Sequence, residues 1–144
     1  MEKDTTLRFG LDQIEHVADF LYALRDHCKV YAFKGTLGAG KTTLSQKLLR
    51  RFGVEGVITS PTFTYVNMYH LNDGTVLYHF DLYRINSVDE FVLSGFNEYL
   101  YQPNSWALIE WPEVIEPLLM RHVVEATLAY EDEHTRELKV KVLN

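Results

Sequence analysis

The 144 residues are enough for one domain that buries its own core without disulfides or metal. An apolar fraction of 47% beside 24% charged residues fits a soluble globular protein and excludes a disordered chain. The net charge of -6 argues against strong autonomous nucleic-acid binding, which needs clustered Lys and Arg.

The single cysteine, Cys28, rules out an internal disulfide and any multi-cysteine zinc site, and it fits a reducing compartment. Met1-Glu2-Lys3-Asp4 lacks the charged-then-apolar layout of a secretory leader. No apolar run is long enough to span a bilayer, so the expected address is the cytoplasm, away from membranes.

In chain order, Thr5 to Phe9 reads as a short strand. Ile14, Val17, Ala18, Leu21 and Leu24 recur at helical spacing and predict an amphipathic helix over 11–26. Val30-Tyr31-Ala32-Phe33 is a short apolar run rich in β-formers. Thr42 to Phe52 contains no Gly or Pro and sets Leu44, Leu48 and Leu49 on one face, with Gly53 as a stop.

Val57-Ile58-Thr59 reads as a brief strand broken by Ser60-Pro61-Thr62-Phe63, because the residue before Pro is driven to an extended conformation. Thr64 to Leu71 and Thr75 to Phe80 flank Asn72-Asp73-Gly74, a tight-turn signal, and predict a β-hairpin. If its second strand continues, alternation places His79, Asp81 and Tyr83 on one face. Ser87-x-x-Glu90 is a capping-box pattern opening a short helix, and Phe96 to Tyr101 reads as another turn. Trp106-Ala107-Leu108-Ile109 has the character of a buried central strand ending at Glu110. Pro112 and Pro117 bracket an irregular helix. Val123 to Ala129 and Glu137 to Val142 are the last two strands. Repeats and linkers are absent, so the expectation is a single α/β domain over 1–144: a three-layer P-loop fold with a mixed sheet.

Between the 30–33 strand and the 42–52 helix, Gly35-x-x-x-x-Gly40-Lys41-Thr42 fits the P-loop pattern at every fixed position. Its glycines let backbone N–H groups close on phosphate oxygens. Its lysine reaches the β and γ phosphates, and its threonine hydroxyl ligates Mg²⁺. The helix that follows adds free N–H groups and a positive dipole end. A plain Gly-rich turn gives no reason for a lysine at a helix start, where the dipole disfavours a cation. The cofactor-binding candidates are therefore Gly38, Ala39, Gly40, Lys41, Thr42 and Thr43.

Such a site needs an acid beside the loop, because Mg²⁺ prefers oxygen ligands. Glu110 has the cleaner setting, an apolar run ending in a carboxylate, and takes the metal-side role with Thr42. Asp81 is a second candidate, either to orient or deprotonate the attacking water or to complete the metal shell. The catalytic set is Asp81, Glu110 and Lys41. Thr62 sits in a loop that is either a plain Ser-Pro turn or one from which a switch threonine approaches the γ-phosphate, and on the second reading it joins the nucleotide-binding set. Arg84 either pairs with phosphate or holds Asp81. The histidines show no metal-ligand spacing, and no centre other than Mg²⁺ is expected.

No N/T-K-x-D guanine-reading motif is present, which favours ATP over GTP. A small-molecule kinase remains as the alternative, although no arginine cluster marks a lid. A nucleotide-gated binding module without a hydrolytic role is a third reading. What the chain's size favours is a compact ATPase whose turnover serves a partner.

Taken together, Gly38-Ala39-Gly40-Lys41-Thr42-Thr43, Ser60-Pro61-Thr62-Phe63, His79-Phe80-Asp81-Leu82-Tyr83-Arg84 and Ile109-Glu110-Trp111-Pro112 resemble the bacterial TsaE (formerly YjeE) family. The resemblance covers about residues 10–115 and, more weakly, the rest of the chain. It implies a weak ATPase that works with TsaB and TsaD to form threonylcarbamoyladenosine at position 37 of ANN-decoding tRNAs, meeting tRNA only through that complex. It gives Lys41 and Thr42 the phosphate and Mg²⁺, Glu110 the role of a Walker-B-like acid, and Asp81 support of hydrolysis. By the same resemblance, Thr62 lies in a switch-like loop and Trp111 is a functional aromatic. The sequence departs from the family at Thr36, where G-D-L-G-A-G-K-T has Asp.

Overall fold

A computed structural model describes residues 3–36 and 39–144, with Lys3 described by its backbone alone. Among the described residues, seven strands form one sheet in the order β1-β7-β6-β2-β5-β4-β3. They are β1 (Lys3–Gly10), β2 (Val30–Lys34), β3 (Val66–His70), β4 (Val76–Asp81), β5 (Ser105–Glu110), β6 (Val123–Tyr130) and β7 (Thr135–Leu143). The four central strands β6, β2, β5 and β4 run parallel, while β3, β7 and β1 join antiparallel. The sheet is mixed, as the hairpin signal required.

Alternation along the central strands divides their side chains between two layers. Tyr31, Phe33, Leu77, Leu108, Val124 and Ala126 pack on one face with Leu21 of α1 (Ile14–Ala23) and Leu44, Leu48 and Leu49 of α2 (Lys41–Phe52). Val30, Ala32, Tyr78, Phe80, Ala107 and Ile109 pack on the other with Phe91 of α3 (Val88–Leu93), Ile115 and Leu119. The architecture is thus three layers, helix–sheet–helix. The Tyr31 hydroxyl donates to the Leu21 carbonyl at 2.7 Å and ties α1 to the central strand.

Helix ends follow the sequence signals. Gly53 closes α2 with φ 111°, and the N–H groups of Gly53 and Val54 return to Arg50 and Leu49 at 3.0 and 3.1 Å, a Schellman closure. Ser87 caps α3 by accepting the Glu90 N–H at 3.1 Å, but the Glu90 carboxylate reaches the Asn86 N–H rather than that of Ser87. The helix expected over 11–26 is α at Ile14–Ala23 with a 3-10 turn at each end.

Two local expectations are corrected. Val57-Ile58-Thr59 is not a strand. Val57 is 83% exposed, and the Thr59 carbonyl accepts from the Asn67 side chain at 3.0 Å instead of a ladder partner. The second hairpin strand ends at Asp81, so Tyr83 does not share a strand face with His79 and Asp81. Cys28 is buried, and burial pushes its thiol up to about 12, which leaves it unreactive. No helix among the described residues is long and apolar enough to cross a membrane.

Candidate functional site

A cleft of about 500 Å³ opens at the C-terminal ends of β2, β5 and β4, against the first turn of α2. Four segments distant in sequence build it. The loop from β2 to α2 supplies Thr36, Gly40, Lys41, Thr42 and Thr43. The segment before β3 supplies Ser60 and Thr62. The ends of β4 and β5 bring Asp81, Tyr83, Glu110 and Trp111.

Loop geometry is set by two glycines. Gly35 has φ 136°, and a Cβ there would stand 2.3 Å from the Leu128 carbonyl oxygen of β6. Gly40 has φ 102° and begins α2. Leu44 makes the first intrahelical bond, to the Gly40 carbonyl at 3.0 Å. The N–H groups of Lys41, Thr42 and Thr43 therefore precede the helical ladder, and the N-cap residue Gly40 has no side chain to cap them. Ala39 is buried behind the cleft wall. Its N–H goes to the Thr36 carbonyl at 3.2 Å, and its own carbonyl accepts from Arg136 Nε at 3.3 Å. Gly38, named above as a nucleotide-binding candidate, lies outside the described residues. Thr36, the position that departs from the family, is exposed on the cleft rim and contributes its carbonyl to this turn.

Glu110 is 2% exposed and holds the centre of the site. Its Oε1 accepts the Thr42 hydroxyl at 2.7 Å, which joins the end of β5 to the first turn of α2. Its Oε2 meets His79 Nε2 at 2.6 Å. Asp81 is the direct register partner of Glu110 on the neighbouring parallel strand, so the two carboxylates lie on one face. Asp81 Oδ1 accepts the Tyr83 N–H at 3.1 Å.

Lys41 is nearly buried. Its ammonium donates to the Gly35 carbonyl at 2.5 Å and lies 3.1 Å from the centroid of the Trp111 ring. Burial lowers its pKa from the ordinary lysine value, with Glu113, Glu110 and Asp81 opposing the shift. Trp111 adopts a left-handed backbone, φ 59° and ψ 56°, directly after the strand, and its ring also contacts Tyr83 at 5.0 Å between centroids.

Thr62 lines the same cleft, with its hydroxyl 3.2 Å from that of Ser60. Arg84 does not hold Asp81. Its guanidinium lies over the Phe63 ring at 4.9 Å from the centroid. The geometry thus brings Gly40, Lys41, Thr42, Thr43, Thr62, Asp81, Glu110 and Trp111 to one cleft and sets Ala39 behind it.

Sequence reasoning gave His79 no role in the site, and it considered Arg136 as a group that reaches the nucleotide without assigning it. His79 was visible as a polar residue inside the apolar run Leu77 to Phe80, in phase with Asp81. Arg136 had no local signal, because its contact with the P-loop depends on how the β6–β7 pair folds back.

A sequence profile described as threonylcarbamoyl adenosine biosynthesis protein TsaE matches residues 10–138. The chain belongs to the TsaE family. A TsaE from Haemophilus influenzae is 35% identical over 128 residues, which are 88% of this chain and 77% of that protein. The Bacillus subtilis TsaE is 30% identical over 128 residues, 88% of this chain and 78% of the relative. The Rickettsia felis TsaE is 38% identical over 108 residues, 74% of this chain and 61% of the relative. Among solved structures, the crystal structure of Bacillus subtilis YdiB superposes with a TM-score of 0.71 at 25% identity, covering all of this chain and 88% of the other. Family and loop together place the chain among P-loop nucleotide-binding proteins, in the biosynthesis of tRNA threonylcarbamoyladenosine.

Proposed function

We propose that this TsaE-family chain binds ATP with Mg²⁺ in the cleft and hydrolyses it slowly. Its turnover supports TsaB and TsaD in forming threonylcarbamoyladenosine on tRNA in the cytoplasm. The observation that carries this reading is the 2.7 Å contact between Thr42 Oγ1 and Glu110 Oε1. It pairs a hydroxyl and a carboxylate, both hard oxygen donors, at the mouth of a P-loop.

The donor set fits Mg²⁺, which takes one or two protein oxygens and completes its shell with water and phosphate. Thr42 and Glu110 would hold the ion. When bound, the ion would neutralise negative charge on the phosphates as it develops in hydrolysis.

The chain's own residues do the rest. The uncapped N–H groups of Lys41, Thr42 and Thr43 receive phosphate oxygens at the positive end of α2. Lys41 leaves the Gly35 carbonyl and the Trp111 ring for the phosphate charge. Asp81, one strand from Glu110, orients the attacking water with the oxygen not occupied by the Tyr83 N–H. Thr62, which lines the same cleft, closes on the γ-phosphate. Water attacks the γ phosphorus, its bond to the bridging oxygen breaks, and ADP and phosphate leave. Phe63 and Tyr83, 79% and 57% exposed beside the cleft, are aromatic groups of the kind that partner surfaces use.

The test is reconstitution with TsaB, TsaD and tRNA. ATP should sustain repeated rounds of modification, and Lys41→Ala should stop them after the first. Undiminished multiple turnover by a Lys41→Ala protein that has lost ATP binding would sink the proposal.

A further inference from the structure

His79 does not line the cleft, yet it is a fully buried polar group directly beneath it. It lies on β4 with its side chain fully buried, in the layer beneath α2. The parallel register pairs Asp81 with Glu110 and His79 with Leu108. His79 therefore sits one pleat below Glu110 on the adjacent strand, on the same face, within diagonal reach of the carboxylate. Its Nε2 is 2.6 Å from Glu110 Oε2.

A carboxylate only accepts, so Nε2 carries the hydrogen of this bond. The other ring nitrogen, Nδ1, is buried and makes no hydrogen bond. A histidine kept only to fill the core has both nitrogens satisfied or is replaced by an apolar residue, because an unpaired buried polar atom costs about 1–3 kcal/mol. Here the single polar contact of the ring is spent on the carboxylate that accepts the Thr42 hydroxyl of the P-loop.

The two oxygens of Glu110 are thereby divided. Oε2 belongs to His79 and Oε1 to Thr42. Without the imidazole, Oε2 would be a buried carboxylate oxygen with no donor, and the side chain would turn to recover one from the loop or from water. That turn would take Oε1 away from Thr42.

We propose that His79 is the positioning residue of the site: its Nε2–H holds Glu110 so that Oε1 faces Thr42, and this sets the Mg²⁺ affinity of the nucleotide complex. The inference rests on the reading that Thr42 and Glu110 hold Mg²⁺. Outer partners of metal ligands act this way, and their loss lowers metal affinity by about 10–100-fold.

The experiment uses ADP and MgCl₂ with the whole chain. Binding of ADP is measured by calorimetry in EDTA and then across a Mg²⁺ titration, for the wild type, His79→Phe and His79→Gln. Phe fills the volume without a donor, while Gln carries an amide N–H near the position of Nε2. Metal-free ADP binding should be the same in all three, because Lys41 and the α2 N–H groups supply it. Half-saturating Mg²⁺ should rise about tenfold or more in His79→Phe and return toward wild type in His79→Gln.

A merely structural role would weaken metal-free and metal-bound binding together and would not be rescued by Gln. That result, or an unchanged Mg²⁺ titration in His79→Phe, overturns the inference while leaving the reading of the cleft intact. Wild-type ADP binding that ignores Mg²⁺ overturns both. Should His79→Phe fail to fold, His79→Asn takes its place, since its shorter amide stands near Nδ1 and does not reach Oε2.

Discussion

The Lys41 ammonium stands 3.1 Å from the centroid of the Trp111 ring, at hydrogen-bond distance from the Gly35 carbonyl. The ring reaches that place because Trp111 turns into the left-handed region directly after Glu110, ending β5. The lysine is thus held by a ring face and a carbonyl, with no carboxylate among the described residues bonded to it. Burial lowers its pKa from the ordinary 10.5.

A pH dependence follows from that direction. The charged lysine binds phosphate, so ADP affinity should be flat below the lowered pKa and fall as pH rises through it, before 10.5 is reached. Folding has the opposite sign. The penalty of burying the charge is fully present below the folded pKa and is relieved as pH rises toward the unfolded value. ADP titrations at increasing pH should show the break in the wild type, and Lys41→Arg should remove it. A break located at or above the ordinary lysine value would contradict the assignment.

Arg136 makes a second prediction. Its Nε donates to the Ala39 carbonyl, and Nη1 donates to the Asp132 and Thr135 carbonyls at 2.7 and 3.0 Å. One guanidinium therefore ties the P-loop to the β6–β7 turn. Arg136→Leu should lower stability by about 1.5–3 kcal/mol, the range for bonds to a charged group. It should also weaken ADP binding several-fold and speed amide exchange at Ala39 to Thr43. Arg136→Lys should not restore these, because an ammonium lacks the planar fork that serves three carbonyls. Equal exchange rates in wild type and Arg136→Leu would show that the tie does not order the loop.

Much of this architecture was legible because its signals are local. The apolar run at 30–33, the glycines of the loop and the uninterrupted 42–52 segment fix strand, turn and helix within a few residues of one another. The Asn72-Asp73-Gly74 turn likewise set the hairpin, with the Asp73 side chain accepting the Thr75 N–H at 2.9 Å. What stayed hidden depends on register between distant strands. His79 meets Glu110 only because β4 lies parallel to β5 in one alignment, and a shift of one residue would turn His79 to the opposite face. Arg136 likewise reaches Ala39 across the strand order rather than along the chain. Val57 to Thr59 misled for the converse reason: β-forming side chains were present, but no neighbouring strand edge received them.

Gly35 carries a backbone prediction. At φ 136° an L side chain is strained, and the nearest obstacle to a Cβ is a backbone carbonyl oxygen, which cannot swing aside. Gly35→Ala should destabilise by about 1–3 kcal/mol from the backbone conformation alone. On the scale of about 2–4 °C per kcal/mol, thermal unfolding should fall by several degrees or more. Gly74, whose φ is also positive, has nothing within 4 Å of a Cβ, so Gly74→Ala should show only the conformational penalty. Equal losses at the two positions would mean that the contact with Leu128 adds nothing.

Glu110→Gln separates hydrolysis from the rest. The amide keeps the shape of the carboxylate, and its oxygen can still accept the His79 Nε2–H. Its nitrogen then faces Thr42, where a metal needs an oxygen. The fold and metal-free ADP binding should survive, the Mg²⁺ enhancement of binding should disappear, and hydrolysis should fall by about 10²-fold or more. Retained Mg²⁺ enhancement would show that Glu110 is not the metal-side acid and would move that role toward Asp81. The same variant, reconstituted with TsaB, TsaD and tRNA, decides what the nucleotide is for. If repeated modification stops while ATP is still bound, turnover needs hydrolysis. If it continues, nucleotide occupancy alone supports the partner, and the protein acts there as a gated binding module.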